Sequence, residues 1–185
     1  MTIVHRCPWN LTNMLVFLLG FMGVGKTTTG RKLANRLQLP FLDMDAAFAN
    51  HFGKSVSETI EQEGESVFRQ QEHELLKTLL ATHKEGVIAT GGGAPCHYNN
   101  MQLMNEAGIT LYLSAPVGAL VVRLSQSRTV RPLVKEKHGD ELSAYIAQLL
   151  EERKPFYEQA KICADALSVS AEQLERILRN YTPNL

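Results

Sequence analysis

Leu15-Val16-Phe17-Leu18-Leu19-Gly20-Phe21-Met22-Gly23-Val24-Gly25-Lys26-Thr27 runs from five consecutive apolar residues straight into the pattern G-x-x-x-x-G-K-[ST]. The apolar run predicts a strand buried on both faces, and the residues after Lys26 predict a helix. A glycine loop between such a strand and such a helix is built to hold phosphate. Its backbone N–H groups curl around the anion, the helix N-terminus adds positive potential, Lys26 reaches the outer phosphates and the Thr27 hydroxyl is a magnesium ligand.

Outward from this loop, short apolar runs alternate with longer helical patterns, the signature of parallel strands joined by crossover helices. Strands are predicted at Leu15 to Leu19, Pro40 to Leu42, Val87 to Ala89, Ile109 to Leu113 and Lys161 to Ala164. Helices are predicted at Thr27 to Leu37, from the capping box Ser55-Val56-Ser57-Glu58 up to an interruption at Gly64, and at Glu65 to Leu80. Further helices follow at Asn99 to Asn105, Val117 to Ser125 and Leu142 to Tyr157, and a last one runs to Arg179 behind the cap Ser170. The stretch Gln126 to Asp140 lacks apolar periodicity.

At 185 residues and 44% apolar, the chain suits one domain with a proper core. Nineteen basic and nineteen acidic residues cancel, so no global field is available for a nucleic-acid backbone or an anionic membrane. The three cysteines Cys7, Cys96 and Cys163 are far apart, which fits a reduced, cytosolic setting, and the six histidines show no metal-ligand spacing. Residues 1–13, with Pro8 and Trp9, do not read as a signal peptide and are expected to be an extension. No segment approaches the roughly 20 apolar residues of a membrane span. With no coiled-coil seam evident, a monomer is expected.

Three further features surround the loop. Asp43 and Asp45 in "FLDMDAAF" are expected to end the second strand with both side chains on one side; the simpler reading gives Asp45 a capping role for a helix starting at Ala46. One carboxylate beside a phosphate loop suits magnesium and a second suits a hydroxyl proton. Gly91-Gly92-Gly93 after the third strand loses much chain entropy on folding, which makes sense where a ligand must touch bare backbone, a plain flexible turn being the alternative. Arg69, Arg131 and Arg153 each read singly as solvated side chains, and acquire meaning only if the fold gathers them.

In order along the chain stand "GFMGVGKTTTGRKLA", "DMD", "GESVFRQQE", "TGGG", "RPL" and "ERKPFYEQA". This ordered set, spanning Leu15 to Leu178, resembles the shikimate kinase family. The resemblance implies an α/β three-layer sandwich around a five-stranded parallel sheet, the phosphate-loop NTPase fold. It implies a single domain over 14–185, an acceptor-binding segment at about 44–72 and a lid at about 124–140. It also implies ATP and shikimate as substrates and Mg²⁺ as cofactor. Gly23, Val24, Gly25, Lys26, Thr27, Thr28 and Arg131 would bind ATP, and Thr27 and Asp43, the latter through water, would hold the metal. Asp45 would orient the acceptor hydroxyl and take its proton, while Lys26 and Arg131 neutralise the transferred phosphoryl group. Arg69 and Arg153 would grip the shikimate carboxylate. Gly91, Gly92 and Gly93 would give backbone to the acceptor pocket, and Phe68 and Ile60 apolar walls.

Two positions depart from the family pattern. The stretch Asp45-Ala46-Ala47-Phe48-Ala49 lacks the usual acid, and Leu124 stands where an arginine commonly stacks on adenine, with Arg123 as the neighbouring candidate. Competing readings are a gluconate kinase of similar build, a nucleoside monophosphate kinase, whose lid usually carries several arginines, and a nucleotide-dependent switch. The GTPase motif N-K-x-D is absent from the chain.

Overall fold

A computed structural model describes residues 14–126 and 137–181. The Leu15–Leu19 run is a strand, β1, and its side chains alternate between two cores. Val16 and Leu18 join one cluster, and Leu15, Phe17 and Leu19 join the other. Burial on both faces is why this strand is apolar at every position rather than at every second one.

The remaining strands are β2 (Phe41–Asp43), β3 (Gly86–Ala89), β4 (Gly108–Ser114) and β5 (Ile162–Asp165). All pairings are parallel and the spatial order is β2-β3-β1-β4-β5, so β1 lies at the centre, with the chain passing first to the edge strand β2, back to β3, and then outward through β4 and β5 on the other side. The sheet reproduces the five expected strands with shifts of one residue at most ends. The register aligns Leu18 with Ala89 and Ala89 with Asp43. Three strands therefore deliver their carboxyl ends to one place, where open α/β sheets bind ligands.

The helices are α1 (Lys26–Leu37), α2 (Met44–Phe52), α3 (Val56–Glu63), α4 (Glu65–Thr82), α5 (Asn100–Ala107), α6 (Val117–Ser125), α7 (Gly139–Tyr157) and α8 (Ala171–Asn180). Leu33 and Leu37 of α1, Leu120 of α6 and Leu174 and Leu178 of α8 cover one face of the sheet. Met44 and Phe48 of α2, Leu75, Leu76 and Leu79 of α4 and Met104 of α5 cover the other. Helix α7 serves both, starting with Leu142 and Ile146 in the first cluster and ending with Tyr157 in the second.

The expected capping boxes form at both sites. Ser55 and Glu58 exchange bonds at the start of α3, as do Ser170 and Gln173 at α8, and Gly64 separates α3 from α4. One local expectation differs. Strand β2 stops at Asp43, which is the N-cap of α2 and accepts from the backbone N–H of Asp45 at 3.0 Å. Asp45 thus stands in the first turn of a helix that begins two residues earlier than Ala46.

Candidate active site

The phosphate loop owes its shape to glycines at positive φ: Gly23 at 80° and Gly25 at 106°. A Cβ at position 23 would also come 3.0 Å from Leu124 Cδ2. Leu124, at the position where the family pattern places an arginine, is thus a packing residue beneath the loop. Arg123 turns to the loop itself and donates from Nη1 to the Val24 carbonyl at 2.6 Å. Val24 keeps its side chain in the core and its N–H on the Phe21 carbonyl at 3.2 Å.

Helix α1 begins at Lys26 with Gly25 as N-cap, no side-chain capping bond and no acid in its first turn. Its leading N–H groups are left to an anion, where the helix dipole also favours negative charge. Lys26 folds back over the loop, with Nζ 2.7 Å from the Gly20 carbonyl and 3.0 Å from that of Phe21.

Thr27 donates from Oγ1 to Asp43 Oδ2 at 2.7 Å, while Asp43 Oδ1 is occupied with its cap. Donation of the Thr27 proton leaves its oxygen lone pairs beside a carboxylate at the phosphate end of the cleft. Two hard oxygen donors in this position fit Mg²⁺, which binds one or two protein oxygens and retains water.

The cleft has a volume of about 190 Å³ and is lined by Gly23, Gly25, Lys26, Thr27, Thr28, Asp43, Asp45, Thr90 and Gly92. A larger open groove of about 640 Å³ lies at the other end of α1, against α8. Its charges are largely consumed internally: Glu175 pairs with Arg36 at 2.7 Å and with Arg179 at 2.9 Å.

Arg69 and Arg153 are both buried beside the cleft, each 7% exposed. Arg69, on α4, is held by Glu72 at 2.8 Å and Glu65 at 2.8 Å, and lies over the Phe68 ring 4.7 Å from its centroid. Burial opposes its charge, but Glu72 and Glu65 together outweigh that and raise its pKa. Arg153, on α7, stands 5.6 Å over the Phe21 ring and forms no ion pair among the described residues. Ile60 packs half-buried against the same cluster as Phe68.

The glycine run sits where these side chains converge. A Cβ on Gly91 would fall onto Glu72 Oε1, and one on Gly93 would lie 2.6 Å from Arg69 Nη2. Neither glycine has the positive φ that would demand it. The run is required by close approach of the arginine cluster. Cys96, next along the chain, has its thiol pKa pushed up by burial to about 11, which makes it a poor nucleophile.

Of the residues expected from sequence, Gly23, Gly25, Lys26, Thr27, Thr28, Asp43, Asp45 and Gly92 line one cleft, and Arg69, Arg153, Phe68, Gly91 and Gly93 adjoin it. Arg131 and most of the expected lid lie outside the described residues, as do residues 1–13. Glu72 was not anticipated. Burial raises its carboxyl pKa, Arg69 draws it down and the nearby charge of Asp45 raises it further. Its signal was the spacing Glu65-Arg69-Glu72, which places both acids on the helix face of the arginine. Thr90, with Oγ1 3.1 Å from the Leu18 carbonyl, was also missed.

The shikimate kinase family profile matches residues 22–182. The shikimate kinase of Parabacteroides distasonis is 43% identical over 157 residues, covering 85% of this chain and 90% of that protein. The crystal structure of the Bacteroides thetaiotaomicron shikimate kinase superposes with a TM-score of 0.84 at 39% identity, covering 89% of this chain and 98% of the other. The Acinetobacter baumannii shikimate kinase, solved in complex with shikimate, gives 0.79 at 33% identity, covering 90% and 91%. A phosphate loop, an aspartate pair and two buried arginines gathered at one sheet end thus coincide with similarity over nearly the whole fold, and the chain belongs to the shikimate kinase family.

Proposed function

We propose that the protein transfers the γ-phosphoryl group of ATP to the 3-hydroxyl of shikimate, yielding shikimate 3-phosphate and ADP for chorismate and aromatic amino acid synthesis. The acceptor oxygen attacks the γ-phosphorus, the bond to the ADP oxygen breaks, and the hydroxyl proton passes to Asp45. Little covalent work falls to the protein; positioning and charge neutralisation carry the reaction. Gly23, Val24, Gly25, Lys26, Thr27 and Thr28 bind the nucleotide. Thr27, and Asp43 through water, would hold Mg²⁺, which would supply positive charge to the phosphate groups. Arg69 and Arg153 take the acceptor carboxylate, with the backbone of Gly91 to Gly93 and the walls Phe68 and Ile60 completing the pocket.

The observation that carries this reading is the pair of buried arginines brought to the same cleft as Lys26 and Asp45. An anionic acceptor has charge partners there that water lacks. Arg131, outside the described residues, would join Lys26 in neutralising charge on the transferred phosphoryl group. The working unit is a cytoplasmic monomer of one domain over 14–185, with 1–13 as an extension; no described helix is long and apolar enough to cross a membrane.

The test is Mg²⁺-dependent ADP release measured with shikimate, gluconate, AMP and no acceptor. Turnover confined to shikimate is expected. Turnover with gluconate or AMP instead, or ATP binding without acceptor-dependent turnover, would overturn the assignment.

A further inference from the structure

Arg153 and Tyr157 stand four residues apart on α7, on one helix face, and both are buried. Tyr157 is fully enclosed; its ring stacks on Tyr112 with centroids 5.0 Å apart, and its hydroxyl donates to the Gly92 carbonyl. A Cβ on Gly92 would lie 3.5 Å from Arg153 Nη1, so the arginine and the glycine loop are neighbours across the same contact. The two acceptor elements come from distant parts of the chain, and Tyr157 is the side chain that joins them by a hydrogen bond.

We propose that Tyr157 is a positioning residue of the acceptor site, its hydroxyl tying the Gly92 carbonyl to the helix that carries Arg153 so that glycine loop and arginine hold one relative placement. The inference rests on the acceptor reading of this cleft. In a trans peptide the N–H points away from the C=O, so fixing the Gly92 carbonyl also fixes the direction of the Gly93 N–H. The positive charge of Arg153 acts on the same phenol. Burial raises the phenol pKa well above its ordinary value, so the proton that makes the bond to Gly92 stays in place across the working pH range. Hydrophobic packing alone would be served equally well by phenylalanine, which keeps the ring and its stacking.

Steady-state kinetics on the full chain test this with Tyr157→Phe, Arg153→Lys and the double variant, with folding followed by thermal melts. Tyr157→Phe should raise the shikimate KM about tenfold, the loss of about 1.4 kcal/mol of binding, and leave the ATP KM unchanged. Arg153→Lys keeps the charge but loses the fork, so adding Tyr157→Phe to it should produce much less than the single effect. An unchanged shikimate KM in Tyr157→Phe, equal rises in both KM values, or full additivity with Arg153→Lys would overturn the positioning role while wild-type turnover with shikimate stands. A wild-type enzyme inactive with shikimate overturns the acceptor reading itself, and this inference with it. If Tyr157→Phe does not fold, the role of the hydroxyl is structural and the proposal fails.

Discussion

Replacing Gly93 by alanine adds one methyl group and should disable the acceptor site while sparing the nucleotide site. The new Cβ would sit 2.6 Å from Arg69 Nη2, 2.8 Å from Nη1 and 2.9 Å from Cζ. Carbon to nitrogen contacts of this kind need about 3.4 Å or more, so the guanidinium must retreat by more than half an ångström. It has little freedom to do so, because it is 7% exposed and held by Glu72 and Glu65 at 2.8 Å each. Hydrogen bonds to charged groups are worth about 1.5–3 kcal/mol each. Misplacing the fork by that margin forfeits about one of them, a rise in shikimate KM of about ten- to 150-fold. Overpacking adds about 1–3 kcal/mol of destabilisation. The assay is coupled ADP release with each substrate varied in turn, and the decisive arm is a double-mutant cycle. In an Arg69→Ala background the space beside position 93 is vacant, so Gly93→Ala should there change the shikimate KM very little. If it weakens the acceptor equally with and without Arg69, the steric argument is wrong and the glycine is needed for another reason.

Three more outcomes follow from the same geometry. Asp45→Asn should lower kcat by about 10²–10⁴-fold, the range for loss of a positioned acid or base, with ATP affinity measured by titration unchanged. Gly118→Ala in α6 meets nothing within 4 Å, so melts should show a gain of up to about 1 kcal/mol, or about 2–4 °C, without kinetic effect. Glu72 has its folded-state pKa raised by burial, so between the ordinary carboxylate value and that raised value the folded chain binds the extra proton and the unfolded chain does not. Stability should therefore fall as pH rises through this window, and melts of Glu72→Gln should lack that part of the slope.

The strand and phosphate loop were legible because their signals are local. Five apolar residues, a glycine pattern and a helix start lie within thirteen positions. The course of the chain through Asp43 and Asp45 was less legible, since period-two alternation and an N-cap compete for the same residues. The cap won: Asp43 satisfies the Asp45 N–H, and the helix starts at once. Sequence left the triple glycine between a ligand-facing backbone and a plain turn, and its physical cause required the placement of Arg69 and Glu72 from a helix about twenty residues earlier. Arg123 illustrates the same limit, because its bond to Val24 spans 99 residues and no local pattern encodes it.

In the proposed acceptor site the two buried arginines would divide the work of recognising an anion. Arg69 is compensated by two carboxylates, one of them almost fully buried, so its charge is largely spent inside the protein and its contribution is a fork held in one orientation. Arg153 makes no ion pair among the described residues, yet it is equally buried, and a buried charge with less compensation carries a larger desolvation cost. An acceptor carboxylate relieves that cost at Arg153 and finds preset geometry at Arg69. A neutral acceptor of the same shape would relieve nothing. On that reading, discrimination for an anionic acceptor would arise chiefly from the less compensated arginine and its orientation from the paired one. Lysine would therefore cost more at position 69, where the fork matters, than at position 153, where it keeps the charge.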